Sequence, residues 1–289
     1  MKNDRGVALI IVLLVTALLI ALIFEFAYGT RISLRSAVNF RDSQRAYYLA
    51  RSGVNAIGQL LSYNLQHNAA QDNIEERDWT VPPIPVAADT ELHVRWEDES
   101  GKINVSQVIK PPSGSSLNPA DTYSRLVILF TNRGIGQDKL DLIAAWQHEE
   151  SRKFYLLTEL HQFLNDEDFG KVCGRFTGDP AAALTLAPVT QININTASVD
   201  VLRSIGVETT MAQRIVERRS QEPFKTAQEI ADFLGPTNTM AAGQLTYKSD
   251  VFKINSYATV GGFTKQVEAV ITRTLTGTTP YTVNYWRAL

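Results

Sequence analysis

The sequence predicts an α+β fold: one long N-terminal helix packs on a small antiparallel sheet, and a large helical region is inserted between the strands of that sheet. Three observations support this prediction. A helical pattern runs without a proline from Val7 to Asn73. Alternating apolar residues typical of strands occur near residue 92 and again after residue 250. Between these strand signals, helical patterns dominate from about residue 123 to residue 234.

The composition is that of a folded protein without a general attraction to polyanions. Of the 289 residues, 44% are hydrophobic and 20% are charged, as in ordinary folded chains and unlike disordered ones. The net charge of -2 gives no overall attraction to nucleic acid. Cys173 is the single cysteine and cannot form an internal disulfide. We expect it to be a small, partly buried residue rather than a reactive thiol.

The first segment predicts a membrane anchor. From Val7 to Phe24 the only polar side chain is Thr16, and a helix of this length rises about 27 Å, close to the roughly 30 Å hydrocarbon core of a bilayer. The run is longer than the about 7–15 apolar residues of a cleaved secretion signal, and no small-residue cleavage pattern follows it. We therefore assign residues 7–27 to a retained transmembrane segment.

The charges that flank this segment give a conflicting signal about its orientation. Lys2 and Arg5 precede the apolar run, and five arginines follow it: Arg31, Arg35, Arg41, Arg45 and Arg51. Counted by the positive-inside rule alone, these charges would place the body of the protein in the cytoplasm.

The helix continues past the membrane as an amphipathic segment, residues 28–73. Apolar residues recur on one face at spacings of three and four, which is typical of a helix packed on a globular body. These residues are Ala46, Ala50, Val54, Ile57, Leu61 and Leu65. One helix of about sixty residues would be roughly 90 Å long.

Residues 74–110 are predicted to form the first part of the sheet. Trp79–Pro85 reads as a linker because of its prolines. Glu91–Trp96 alternates as a half-buried strand does, and Ile103–Val105 carries a second, shorter strand.

Residues 111–249 are the inserted helical domain, and residues 250–289 complete the sheet. In the helical domain, Thr226 and Glu229 form a capping box at the start of one helix. In the last segment, two alternating runs flank Gly261-Gly262, which predicts a hairpin.

The beginning of the chain resembles type IV prepilins and type II secretion pseudopilins. A short charged leader ends in Arg5-Gly6, the apolar run follows, and Ala46–Val54 is similar to the family's alanine-rich continuation. The resemblance implies that a prepilin peptidase removes residues 1–6 by cutting between Gly6 and Val7, and that the new amine of Val7 is methylated. It also implies a single-pass inner-membrane protein with a cytoplasmic leader and a periplasmic body, against the count of flanking charges.

One position points to a subgroup of this family. Members usually carry a glutamate at the fifth residue of the mature chain, and that place is Ile11 here. A charge at this depth costs about 2.5–3.5 kcal/mol unless it is paired, and in such fibres its partner is the N-terminal amine of the neighbouring subunit. The type that typically lacks the glutamate is the K-type minor pseudopilin at the tip, which has no neighbour above it. Glu25 does not replace it, because it lies near the membrane edge.

Two short motifs and the domain plan extend the resemblance to the K type over most of the chain. The motifs are Glu99–Val105 and Ile192–Ala197, and a helical block inserted into a small sheet is typical of the K type. The resemblance implies a non-enzymatic role in type II secretion, initiating or capping the pseudopilus. The implied partners are the I-type and J-type minor pseudopilins, the major pseudopilin and the prepilin peptidase.

A helix-hairpin-helix pattern leaves other functions open. Arg133–Gly136 followed by Lys139 resembles the hairpin of a DNA-binding module, whose backbone N–H groups bind phosphate, and Ile205–Val207 is a poorer second copy. Nearby acidic residues favour protein contacts over nucleic acid; they are Asp138, Asp141, Glu208 and Glu217. The alternatives are a membrane-anchored DNA-uptake protein and a type IV pilus minor pilin.

No cofactor, metal site or catalytic site is predicted. K-type relatives can bind calcium beside an Asp-Trp-Ile-Asp stretch, but the matching place here is Ala145–His148, and the acidic loop expected after it is absent. We interpret the acidic clusters Glu97–Glu99, His148–Glu150 and Asp166–Asp168 as solvated surface, since none has the spacing of a calcium loop. The sequence holds no catalytic motif and its histidines are scattered: His67, His93, His148 and His161.

Overall fold

The computed structural model describes residues 4–67, 89–112, 114–149, 152–175, 179, 181–274 and 279–289, without the side chains of residues 4–7, 65–67, 237 and 239. The predicted linker Trp79–Pro85 and the last residues of the predicted amphipathic segment, 68–73, lie outside this part of the chain.

The N-terminal helix α1 spans Asp4–His67. It is long and apolar enough to cross a membrane, and no residue of its most apolar stretch is buried by the rest of the chain. Farther along, the predicted amphipathic face is buried at Ala46, Ala50, Val54, Ile57 and Leu61; the side chain of Leu65 is outside the described part. The prediction of one continuous helix that packs only by its second half is confirmed.

The elements after α1 are named here in chain order. They are β1 (Thr90–Asp98), β2 (Ile103–Asn104), α2 (Thr122–Asn132), α3 (Gln137–His148), a 3-10 turn (Leu157–Gln162), α4 (Asp166–Cys173), β3 (Leu184–Thr185), β4 (Ile192–Asn193), α5 (Val199–Ser204), α6 (Thr209–Gln221), α7 (Ala227–Leu234), a 3-10 turn (Pro236–Asn238), α8 (Thr239–Gly243), β5 (Leu245–Thr246), β6 (Val251–Val260), β7 (Phe263–Arg273) and β8 (Tyr281–Ala288).

A four-stranded antiparallel sheet packs against α1. Its strand order is β1-β6-β7-β8. Leu92, Val94 and Trp96, which are alternate residues of β1, are buried with the apolar face of α1 in one core, to which β6 and β7 also contribute. The hairpin predicted at Gly261-Gly262 joins β6 to β7, and both glycines adopt the positive φ that such a turn requires, 56° and 84°.

The helical region has a core of its own, formed by residues of α2 to α8 and the short strands among them. Ile103, Val105 and Val108 belong to this core. The strand that we expected at Ile103–Val105 is therefore not part of the main sheet. It is present as β2, but it pairs in parallel with β3, because the chain turns out of the sheet after Asp98 and Ile103 donates its N–H to the carbonyl of Ala183 at 2.8 Å. The helical region thus begins closer to residue 100 than to residue 111.

Candidate functional site

The first half of α1 is an apolar surface that this chain does not cover. From Ala8 to Arg41 every side chain is exposed except that of Val38, which is half-buried. Thr16, the polar residue within the run, donates its hydroxyl hydrogen to the carbonyl of Val12 at 2.9 Å, so its donor is satisfied within the helix. A bare apolar helix of this length needs lipid or neighbouring helices around it.

Ile11 lies within this bare surface with 57% of its side chain exposed. Glu25 is about 21 Å farther along the axis at the helical rise of 1.5 Å per residue, so the two positions cannot serve the same contact. The backbones of Gly6 and Val7 belong to α1. Cleavage between them remains a prediction.

The second half of α1 is fixed to the sheet by close backbone approach. A Cβ on Gly53 would come within 2.4 Å of Ser256 Oγ and 2.8 Å of Val94 Cγ2. A Cβ on Gly58 would lie 2.7 Å from the ring of Tyr281 at the start of β8. These glycines, which weaken an isolated helix, let the strands approach it directly.

The sheet and the helical region meet at a joint of buried polar groups around Asp98. One carboxylate oxygen of Asp98 accepts the N–H of Ser100 at 2.7 Å, and the other accepts the hydroxyl of Thr196 at 2.5 Å. Burial raises the pKa of Asp98 above its ordinary value, although hydrogen bonds from Ser249, Thr196 and Ser100 oppose that rise. Asp98 therefore ties the end of β1 to the segment that follows β4.

Hydrogen bonds continue from this joint to the N-terminal helix. The amide of Asn193 donates to Ser249 Oγ at 2.6 Å. Arg273 donates to the carbonyl of Ser249 and, at 3.0 Å, to the carbonyl of Leu61 in α1. A buried network thus connects α1, the sheet and the helical region.

The two motifs that carried the K-type resemblance form the two sides of this joint. The N–H of Asn193 donates to the carbonyl of Ser100 at 2.9 Å. A Cβ on Gly101 would lie 2.6 Å from Thr196 Oγ1. Glu99–Val105 and Ile192–Ala197 are therefore contact motifs that hold the helical region against the sheet.

A buried ion cluster lies next to the joint. The ammonium of Lys102 contacts Glu97 at 2.7 Å and Glu99 at 2.8 Å. Burial alone would raise the pKa of Glu99, but the adjacent Lys102 outweighs it and holds that pKa below its usual value. Burial likewise opposes the charge of Lys102, and the two glutamates more than compensate, so its pKa is raised.

These contacts correct our interpretation of Glu97–Glu99 as solvated acidic surface. Asp98 and Glu99 are buried, at 7% and 4% exposure. Sequence reasoning missed this cluster because the donor Thr196 is 98 residues away from Asp98 and no local pattern shows that these acidic side chains are buried. The one available signal was a lysine shortly after the three acids. Outside this cluster, Glu149, Asp166 and Glu167 are exposed as expected.

The helical region contains two helix-hairpin-helix units, α2–α3 and α5–α6. Their hairpin glycines, Gly134 and Gly206, adopt positive φ values of 69° and 93°. Arg133 at the end of α2 pairs with Asp200 at the start of α5, at 2.9 Å, while a Cβ on Gly206 would lie 3.5 Å from Pro119, just before α2. Helices α2 and α5 are thus antiparallel, and each hairpin lies beside the start of the other unit.

The guanidinium group of Arg133, in the first hairpin, is engaged by other residues of the helical region. Besides Asp200, Arg133 donates to the carbonyls of Lys171 and Ala181, and only 10% of its side chain is exposed. Arg133, which contributed to the resemblance to a phosphate-binding hairpin, therefore stabilises the helical region instead.

The stretch Ala145–His148, where the family resemblance suggested looking for a calcium site, contains a buried residue with a structural role. Gln147 is buried, accepts the N–H of Val108 at 2.7 Å and donates to the carbonyl of Val105 at 3.2 Å. Within the described residues, no three His, Cys, Asp or Glu side chains converge as a metal site would require. The absence of a cofactor and of catalysis remain predictions.

Comparisons with known proteins agree with this architecture. The model of a helix-hairpin-helix motif family matches residues 188–237. This range includes the second unit, α5–α6, whose hairpin Ile205–Val207 we had interpreted as the poorer copy of the motif. The type II secretion system protein K of Pseudomonas aeruginosa is 24% identical over 266 residues, covering 81% of this chain and 78% of that protein. The resemblance to the K-type pseudopilins is confirmed.

The fold is shared with a solved structure as well. A chain in the crystal structure of the GspK-GspI-GspJ complex from the enterotoxigenic Escherichia coli type 2 secretion system aligns with a TM-score of 0.58 and 17% identity, covering 86% of this chain and 98% of that one. The predicted α+β architecture, a long N-terminal helix with an antiparallel sheet and further helices, is confirmed. The bare apolar half of α1, together with the similarity to a secretion-system protein, is consistent with an inner-membrane anchor.

Proposed function

We propose that this minor pseudopilin occupies the tip of the pseudopilus of a type II secretion system, where it initiates or caps assembly for protein export across the outer membrane. The observation that carries the proposal is Ile11 on the exposed surface of α1. A subunit with neighbours on both sides gains from a buried carboxylate paired with the amine above it, whereas an end subunit would leave that charge unpaired in the membrane.

The rest of the molecule fits an end position. The exposed half of α1 supplies a surface for neighbouring helices, and the hydrogen bonds of Asp98 hold the helical region against the sheet. In this proposal the helical region obstructs the addition of a further subunit above it. The partners proposed are the I-type and J-type minor pseudopilins, by analogy with the solved complex, and the major pseudopilin.

Processing and orientation are part of the same proposal. A prepilin peptidase cuts between Gly6 and Val7, the amine of Val7 is methylated, the leader stays in the cytoplasm and the body lies in the periplasm. Sequencing the N-terminus of the membrane-extracted protein from cells that contain the peptidase tests this: Val7 should be the first residue. An N-terminus at Met1 or Lys2 would contradict it.

The position at the tip is tested by Ile11→Glu. We expect the variant to insert normally and to give no gain in the number or length of pseudopili, since a glutamate there has no partner amine. The conservative variant Ile11→Leu is the control for a change of side chain without a charge. A clear gain in assembly for Ile11→Glu alone would instead indicate an interior subunit.

The match to a helix-hairpin-helix family supports DNA contact as a second candidate. The inward engagement of Arg133 and the acidic residues around both hairpins weigh against it. Binding of the full-length protein to duplex DNA that weakens steeply as salt is raised would favour DNA uptake. No binding at low salt would remove that candidate.

A further inference from the structure

Two exposed arginines, Arg31 and Arg35, lie just beyond the apolar run of α1. Arg31 and Arg35 are exposed and, being four residues apart, lie on one face of the helix. Neither forms an ion pair among the residues that the structure describes. Asp42, on the same side, is about 10 Å farther along the axis and already contacts Arg41 at 2.9 Å. Glu25 lies about 9 Å before Arg31 and about 120° around the helix from it.

Their height along α1 brings these arginines to the surface of the membrane. The apolar run ends at Phe24, so the Cα atoms of Arg31 and Arg35 lie about 10 Å and 16 Å beyond it. Helical side chains lean toward the N-terminus, which here is toward the bilayer, and long arginine side chains extend their charged heads to the interface. The headgroup layer adds about 5–8 Å to each side of the hydrocarbon core, so the guanidinium group of Arg31 reaches into it and that of Arg35, one turn farther, extends toward its outer edge.

The residues before the arginines have the character of an interfacial belt. Phe24, Phe26 and Tyr28 are 72%, 77% and 68% exposed, and aromatic side chains concentrate where lipid headgroups meet the hydrocarbon core. A guanidinium group forms bidentate hydrogen bonds with a phosphate. The segment therefore presents apolar rings to the hydrocarbon boundary and phosphate ligands immediately above it.

We infer that Arg31 and Arg35 form a binding site for the phosphodiester headgroups of anionic phospholipids, and that this contact fixes the depth and rotation of α1 in the bilayer. The inference rests on the membrane anchorage of α1. Anionic lipids are preferred over zwitterionic ones because no ammonium group on the lipid offsets the phosphate charge. Bound headgroups also neutralise the arginines that otherwise oppose a periplasmic body by the positive-inside rule.

Native mass spectrometry of the full-length protein tests this inference. Protein in neutral detergent is given equal amounts of phosphatidylglycerol and phosphatidylcholine at low ionic strength, and the retained lipids are counted. Each arginine near a headgroup favours the anionic lipid about fivefold, so the wild type should retain phosphatidylglycerol about 25-fold over phosphatidylcholine. The double variant Arg31→Gln/Arg35→Gln should lose this preference.

The matched control is Arg45→Gln/Arg51→Gln, which removes the same charge from exposed positions of the same helix more than about 30 Å beyond Phe24. It should keep the preference. Equal retention of the two lipids by the wild type, or equal loss in both double variants, would overturn the inference. The inference would also be overturned if Arg31→Gln/Arg35→Gln kept the lipid preference of the wild type but lost binding to other pseudopilins. That result would assign the two arginines to contacts with a neighbouring subunit.

Recovery in the membrane fraction separates this inference from the anchorage on which it depends. A wild type that is found in the soluble fraction of cells contradicts the anchor itself. A wild type that is membrane-bound but shows no lipid preference contradicts only the headgroup site.

Discussion

Replacing Lys102 with methionine tests the buried ion cluster beside the joint. The change keeps most of the aliphatic volume of the side chain but removes the ammonium that lies 2.7 Å from Glu97 and 2.8 Å from Glu99. Only 5% of the Glu99 side chain is exposed, so the variant leaves a carboxylate without a countercharge in the interior. Removing one partner of a buried pair costs about 3–5 kcal/mol, a large part of the about 5–15 kcal/mol that holds a typical domain folded.

An exposed pair of the same geometry provides the control. Lys225 also lies 2.8 Å from a carboxylate, that of Glu222, but the two side chains are 45% and 59% exposed. Such surface pairs contribute about 0–1 kcal/mol, so Lys225→Met should change the free energy of unfolding by less than about 1 kcal/mol. The ion-pair distances are the same, so the two variants differ in the burial of the pair and in the second carboxylate that Lys102 contacts.

The dependence on pH gives the prediction a definite sign. In the wild type, the pKa of Glu99 is lowered from 4.5, so its contribution to stability is complete above that value and is lost as the pH falls through the folded-state pKa. In Lys102→Met both contributions of Lys102 are gone, and we expect burial, the largest influence on Glu99, to raise its pKa above the unfolded value against the weaker opposition of Thr185 and Lys253. Protonation then favours the folded state, and the stability deficit of the variant should shrink on acidification from pH 7.

Urea unfolding of the full-length protein in mild detergent measures these effects. Tryptophan fluorescence reports on the sheet through Trp96, which is 3% exposed and precedes Glu97. With a denaturant slope of about 2 kcal/mol per molar urea, we expect the midpoint of Lys102→Met to fall by about 2 M at pH 7 and by less at lower pH. A midpoint within error of Lys225→Met at pH 7, or a deficit that grows with acid, would refute the reasoning.

Two further predictions concern buried positions. Gly53→Ala should lower the free energy of unfolding by about 1–3 kcal/mol, because the new methyl group would overlap Ser256 and Val94. Gly29→Ala is the control, since nothing lies within 4 Å of a Cβ there; an equal loss of stability in both variants would contradict the steric cause. Burial raises the pKa of Cys173 to about 12, so iodoacetamide at pH 8 should label it only after unfolding in urea, as mass spectrometry would show; rapid labelling of the folded protein would be the contrary result.

Features governed by local periodicity could be predicted from the sequence. The buried face of α1 from Ala46 to Leu61 follows from spacings of three and four residues, and β1 from simple alternation. The turn at Gly261-Gly262 follows from the need for positive φ. Each of these features is decided within a few residues of chain, and each matches the structure.

Features governed by contacts between distant residues could not be predicted. Asp98 and Thr196 are separated by 98 residues, and Arg273 and Leu61 by 212, so no local pattern shows that they meet. The strand at Ile103 was recognisable, but its partner β3 was not, because parallel pairs are joined by long connections. Ile11 was singled out by resemblance to a known family and its role remains a prediction, while the contacts of Asp98 that join the sheet to the helical region were missed.

The place where the chain enters and leaves the helical region makes that region removable. Asp98 lies opposite Phe252 in the sheet, and the N–H of Glu99 donates to the carbonyl of Val251 at 2.9 Å. A short turn between Asp98 and Val251 would therefore close β1 and β6 as an ordinary hairpin and would leave the contacts of α1 with the sheet in place. The core that joins α1 to the sheet is formed by residues of α1 and the strands, so the helical region could be shortened or replaced without removing any residue of that core.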